Sequence, residues 1–201
     1  MPLGAFKAAL MGTAGVSTGD VVLLSDQDAS TSASITFSSG ITSTYGEYIF
    51  KWYNIHPGTA DANWTFQANA VDASGYNETI TSTFFRAYHN EGDGITGLGY
   101  VSSDDQANGT AYQRLIEGGG MPTDNDASSA GELHIFNPSS TTYVKHFYAR
   151  GANFKSSGGE VYKIDSFAAG YFNITAAIDD IQFKFDSGNI DAGTIKMWGV
   201  K

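Results

Sequence analysis

Between residues 45 and 56 the chain reads YGEYIFKWYNIH, and large side chains fall on alternate positions. Tyr48, Phe50 and Trp52 share one phase, Ile49, Tyr53 and Ile55 the other, with Glu47 and Lys51 between them. A period of two is that of a β-strand, whose successive side chains point to opposite faces of a sheet. Bulky groups in both phases predict a central strand with both sides covered, one by its own core and the other by core or a partner subunit. Runs of the same kind recur at residues 64–68, 80–89, 132–137, 143–150, 171–174, 181–185 and 194–200, and residues 21–24 and 34–37 read as strands near the start.

The segments between these runs are rich in turn formers. His56-Pro57-Gly58 is expected to close a hairpin between residues 45–56 and 63–70, Asn137-Pro138-Ser139-Ser140 to reverse the chain before residue 143, and residues 186–193 to close a last hairpin. From residue 90 to 130 glycine and acid accumulate and aromatics thin out. That span reads as loop, with a short strand at 97–101 and a short helix or strand at 112–117, because long connections without internal structure are uncommon. No long helix, heptad run or repeat interrupts the strands. The fold class predicted is all-β: a jelly-roll-like antiparallel β-sandwich of about ten strands over residues 21–201, preceded by an N-terminal arm, residues 1–20. In the arm, Leu3, Phe6 and Leu10 sit at helical spacings of three and four. A helix that short is not stable alone, so these three are the candidate anchoring residues, docking on the domain itself or on a neighbour.

Composition narrows the function classes. The 201 residues carry 11 basic and 21 acidic side chains, a formal charge of −10, which disfavours nucleic acid as partner because phosphate binding needs a concentrated basic surface. Only 16% of the residues are charged while aromatics reach 13%, a β-rich, turn-rich composition found in extracellular and virion proteins. Cysteine is absent, so no disulfide, thiolate metal site or cysteine nucleophile is available. No apolar run approaches the roughly 18 residues of a membrane span, and the first twenty residues make a poor secretory signal.

Candidate chemistry is thin. His56, His89, His134 and His146 lie far apart in sequence, outside any metal-binding spacing. Asp104-Asp105, Asp124-Asn125-Asp126 and the group Asp186, Asn189 and Asp191 offer oxygen ligands for calcium without matching an EF-hand loop, and they read as turn residues. Carboxylates are too numerous for any one pair to point to a glycosidase. GxSxG, P-loop and dinucleotide motifs are missing, and Gly118-Gly119-Gly120 reads as a plain loop. Sequons at Asn63, Asn77, Asn108 and Asn173 are read as incidental, and Trp52, Tyr53, Trp64 and Trp198 as core before sugar-stacking platforms. Hence no catalytic, cofactor-binding or metal residue is assigned, no cofactor is expected, and the protein is read as non-enzymatic.

Four stretches carry a resemblance: ITSTYGEYIFKWYNIHP, GYNETITSTFFRAYHNE, GELHIFNPSSTTYVKHFYARG and the closing YFNITAAIDDIQFKFDSGNIDAGTIKMWGVK. Together they resemble small β-rich virion proteins of tailed marine bacteriophages. The end, SGNIDAGTIKMWGV, is similar to a terminal hairpin of phage tail-fibre and head-decoration proteins, and MPLGAFKAALMG looks like a natural chain start. The resemblance implies a structural component of the virion surface, assembled in the host cytoplasm, that decorates or cements the capsid exterior. Its implied partners are other virion proteins and further copies of itself, most commonly as a homotrimer. The alternative it leaves open is a tail-fibre or receptor-binding module that recognises host surface glycans.

Overall fold

The computed structural model describes residues 20–201, so the anchoring role expected of Leu3, Phe6 and Leu10 lies outside the described residues. Thirteen strands follow one another: β1 (Val21–Ser32), β2 (Ile35–Phe37), β3 (Glu47–Pro57), β4 (Trp64–Ala70), β5 (Ile80–Asn90), β6 (Thr96–Tyr100), β7 (Ala107–Gly109), β8 (Gln113–Arg114), β9 (Ser129–Phe136), β10 (Lys145–Ser157), β11 (Glu160–Phe172), β12 (Ile178–Phe185) and β13 (Ile190–Val200). Among the described residues no helix is long and apolar enough to cross a membrane. The strands form two antiparallel sheets. Nine strands make the larger one, in the order β1-β13-β3-β9-β10-β11-β5-β6 with β7 also on β5, and the smaller is β2-β12-β4-β8. The chain is thus an all-β sandwich. Its pairs nest as in a jelly roll, β3 with β13, β4 with β12 and β5 with β11, while β9 and β10 fill the larger sheet between β3 and β11.

Two expected hairpins are replaced by crossovers. β3 and β4 lie in different sheets, as do β12 and β13, so His56-Pro57-Gly58 and the turn before Ile190 carry the chain across the sandwich. A turn signal marks a reversal but does not say which sheet receives the next strand. Asn137-Pro138 does close the expected β9–β10 hairpin. The stretch from residue 151 to 159, between the runs at 143–150 and 171–174, belongs to the longest hairpin: β10 and β11 pair from Lys145 with Phe172 to Ser157 with Glu160. Gly158 and Gly159, at φ of 62° and 82°, make its tight turn. β1 likewise runs on through the Ser/Thr-rich stretch, held by Lys196–Asp26 at 2.8 Å and by Thr194 Oγ1 donating to Asp28 at 2.6 Å.

The core sits between the sheets and is aromatic at its centre. Phe183 on β12 stacks on Trp64 at 5.8 Å and meets Phe50 of the larger sheet at 5.5 Å, with Phe37 and Phe66 at 6.2 and 6.3 Å. Phe66 continues the contact to Phe147 and Phe172 on β10 and β11, at 5.1 and 6.1 Å. Tyr48, Phe50 and Trp52 are fully buried, as their shared phase implies. Ile55, read in the opposite phase, is buried with them because the register slips between Trp52 and Ile55 at Asn54, whose φ is 52°. Among the described residues nothing covers the second face of β3, and Tyr53 there stays 40% exposed.

Four strands cannot roof nine. β8 is two residues long, and beyond it residues 115–121 take over as cover for β10 and β11. The Leu115 amide donates to the Trp64 carbonyl and the Glu117 amide to Ser166 Oγ, both at 2.9 Å. Room for this segment comes from Gly151, where a Cβ would stand 2.2 Å from the Leu115 carbonyl oxygen. Two buried glutamines clip the preceding loop. Gln67 Nε2 donates to the Glu78 and Ala111 carbonyls, and Gln113 accepts from Ser82 Oγ at 2.7 Å and donates to the Asp104 carbonyl.

Phe183→Ala should cost about 3–5 kcal/mol in urea denaturation, the range for emptying a filled aromatic site. Phe85→Ala, on the uncovered face, should cost no more than about 1 kcal/mol. Equal losses would contradict a core confined to the space between the sheets.

Candidate functional site

Alternate side chains of the larger sheet point away from the core and build a broad outer face. Register pairs place Leu23, Trp198, Ile49, His134, Tyr148, Ala169 and Thr83 in one row across it, from β1 to β5. The neighbouring row runs Asp26, Lys196, Lys51, Glu132, Arg150, Phe167, Phe85 and Tyr100. His134 stacks on Tyr148 at 4.4 Å, Phe85 stacks on Phe167 at 4.7 Å, and the Arg150 guanidinium lies 5.2 Å from the Phe167 ring centre. Leu98 and Tyr100 extend the patch onto β6 and are 76% and 58% exposed. Of the connection from residue 90 to 130, β6 and β7 extend the larger sheet while residues 115–121 roof its inner face, and among the described residues the outer face stays open at Tyr148, Phe85, Leu98 and Tyr100.

The charges on this face are paired within it. Lys51 meets Glu132 at 3.4 Å, Arg150 meets Asp165 at 2.6 Å, and His134 Nδ1 lies 2.5 Å from Glu47. On the strands of this face four cations, Lys51, Arg150, Lys163 and Lys196, stand against five carboxylates, Glu47, Glu132, Asp165, Asp26 and Asp28, a balance of one negative charge in a chain of −10, with Asp105 and Asp93 at its border bound to Tyr100 and His89. Burial, followed by Glu47 and Glu132, raises the Tyr148 phenol above its ordinary pKa.

A second cluster lies inside. Glu117 is 5% exposed and forms ion pairs with Arg86 and, at 3.5 Å, with Lys155. Lys155 also donates to the Gly118 carbonyl at 3.1 Å, and its ammonium is lowered from its ordinary pKa by burial first and by Arg86 second. A polar seam continues from here. Buried Asp104 pairs with Arg114 and accepts the Gly118 amide at 2.6 Å; Asp186 holds the Asn63 amide at 2.8 Å, and Asn63 Oδ1 accepts from the Gly120 amide at 3.1 Å. The seam fixes Gly118-Gly119-Gly120 in place, with Gly120 at a φ of 65° and no room for a Cβ beside the Asp61 backbone. Both cations meet Glu117 Oε1 on the segment that covers β10 and β11, so the cluster reads as a fastening of the roof.

Other residues weighed from the sequence are dispersed. His56 contacts the Asp124 carbonyl, His89 pairs with Asp93 and His146 packs on Tyr171 at 5.9 Å. Asp105 accepts from the Tyr100 hydroxyl, and Asp191 lies 3.8 Å from His56. Asp104 and Asp186, read as turn residues, instead serve long-range contacts. Among the described residues no three His, Asp or Glu side chains gather as a metal site. Trp52 and Trp64 are core, Trp52 donating to Ser129 Oγ at 3.0 Å, while Tyr53 and Trp198 belong to the outer face. Arg86, Glu117 and Lys155 escaped notice in the sequence because they meet across 31 to 38 positions with no local pattern. Comparison with known proteins returns no match: no family profile, curated sequence or solved structure is significantly similar to this chain.

Glu117→Gln should lower stability by about 1–3 kcal/mol, the cost of leaving two partly buried cations without their carboxylate, discounted for the exposure that Arg86 retains. Adding Lys155→Met should restore part of the loss in the same denaturation assay. A neutral Glu117→Gln would mean that the seam does not hold the roof.

Proposed function

We propose that this chain is a non-enzymatic structural protein of a bacteriophage virion, decorating or cementing the capsid exterior, whose copies pack together through the outer face of the larger sheet. The observation that carries the reading is that face: aromatic, open and nearly neutral, on a chain whose formal charge is −10. Nearly all the excess negative charge lies elsewhere, where identical copies repel one another, and the outer face is where they meet with least repulsion. Exposed aromatic patches of this kind mark association surfaces, and a second copy supplies apolar groups and self-paired charges of the same composition. The virion setting and the trimeric number rest on the resemblance to marine phage proteins described above. In this reading the arm, through Leu3, Phe6 and Leu10, anchors the assembled copies to the shell or to a neighbour.

Light scattering at micromolar concentration tests the reading. The full chain should give three times 21.4 kDa, and Phe85→Glu, which places a charge on the open face without touching the core, should give the monomer mass with an unchanged circular dichroism spectrum. Deleting residues 1–16 should leave the trimer intact but abolish co-sedimentation with particles. A monomeric full chain, or a truncated chain that alone becomes monomeric, would show that the sheet face does not join the copies.

A further inference from the structure

At one end of the central strands β3, β9 and β10 lies an open trough of about 1000 Å³. We infer that it binds a neutral oligosaccharide, a function beyond the assembly role. Among the described residues its lining contains no Asp, Glu, Lys or Arg, and its one imidazole, His146, packs on Tyr171 at 5.9 Å. A ligand recognised there through charge would find no permanent counter-ion, which disfavours phosphorylated, sulfated and sialylated molecules. What the lining does present is hydroxyl and amide groups, on Asn137, Ser139, Ser140, Thr141, Thr142 and Thr175. Each of these both donates and accepts, as the hydroxyls of a sugar do.

Aromatic rings complete the set. Tyr45, Phe136 and Tyr143 line the same trough, and Tyr143 is 74% exposed. A large ring held that far into water makes a platform for the C–H face of a pyranose. The loop that carries it is pinned before any ligand arrives. The Asn137 amide donates to the Gly46 carbonyl at 2.7 Å, the Ile178 amide to the Pro138 carbonyl at 2.9 Å, and the Thr142 and Tyr143 amides both donate to Ser140 Oγ, at 3.2 and 3.1 Å. Tyr45 is fixed from below, its ring packed over Gly199 where a Cβ would stand 2.5 Å away. Pre-ordering of this kind reduces what a weak, hydroxyl-rich ligand must offset on binding.

An extended peptide is the less suitable occupant. Peptides that bind sheets add to an unpaired strand edge, whereas β3, β9 and β10 each have a partner on both sides. The trough therefore offers side-chain hydroxyls and rings but no free backbone ladder.

Isothermal titration of the full chain with short oligomers of glucose, mannose and N-acetylglucosamine, beside heparin and sialyl-lactose, tests this. One neutral series should bind, its affinity unchanged between about 50 and 500 mM NaCl because no charge is read. Tyr143→Ala should weaken it by about tenfold or more, while Phe85→Glu should leave it intact even if the oligomer dissociates. Absence of binding up to about 10 mM of every neutral sugar, preference for the charged ligands, an unaltered Tyr143→Ala, or selection of a peptide from a display library at this trough would each overturn the assignment.

Discussion

The structure is governed by a mismatch of width: a sheet of nine strands packs against one of four. The inner face of the larger sheet cannot be roofed by strands alone, and bare aromatic surface there would cost about 25 cal/mol for every Å² left in water. Residues 115–121 supply the missing cover, and because they are not a strand their backbone groups need other partners. Trp64, Ser166, Asp104 and Asn63 provide them, with the Glu117 pairs fastening the segment to Arg86 and Lys155. The outer face has no such cover among the described residues, and the character of the molecule follows from that inequality.

Much of this was legible in the alternation of side chains. Tyr48, Phe50 and Trp52 share a phase and a face, and so do Ile80 and Phe84. The same alternation misled where the chain bulges. Ile55 reads as facing away from Trp52, yet one residue of slip at Asn54 returns it to the core, which no hydrophobicity pattern records. Sheet membership was also hidden. Pro57 and Gly58 look like the turn of a hairpin, and only the competition among all strands for partners sends β3 to one sheet and β4 to the other. Gly151 and Ser166 carry no hydrophobic signal, yet they mark the place where the roof presses on the sheet.

The candidate sites were less legible, and for one physical reason. A surface is made of residues from many strands, and its rows run perpendicular to the chain. Leu23, Trp198, Ile49, His134 and Tyr148 are neighbours only through register. The proposed assembly face and the proposed sugar trough adjoin on strands β9 and β10: Phe136 and His146 line the trough and share the phase of Tyr148, whose ring Phe136 meets at 5.8 Å.

The central claim is that the outer face of the larger sheet joins copies of the chain. Hydroxyl-radical footprinting of dilute and concentrated protein reads it most directly, residue by residue. Labelling of Tyr148, Phe85, Phe167 and Leu98 is predicted to fall as concentration rises while Tyr143, at the end of the sandwich, keeps its reactivity. Equal labelling of the four at both concentrations, in protein that light scattering shows to have associated, would mean that the copies meet elsewhere.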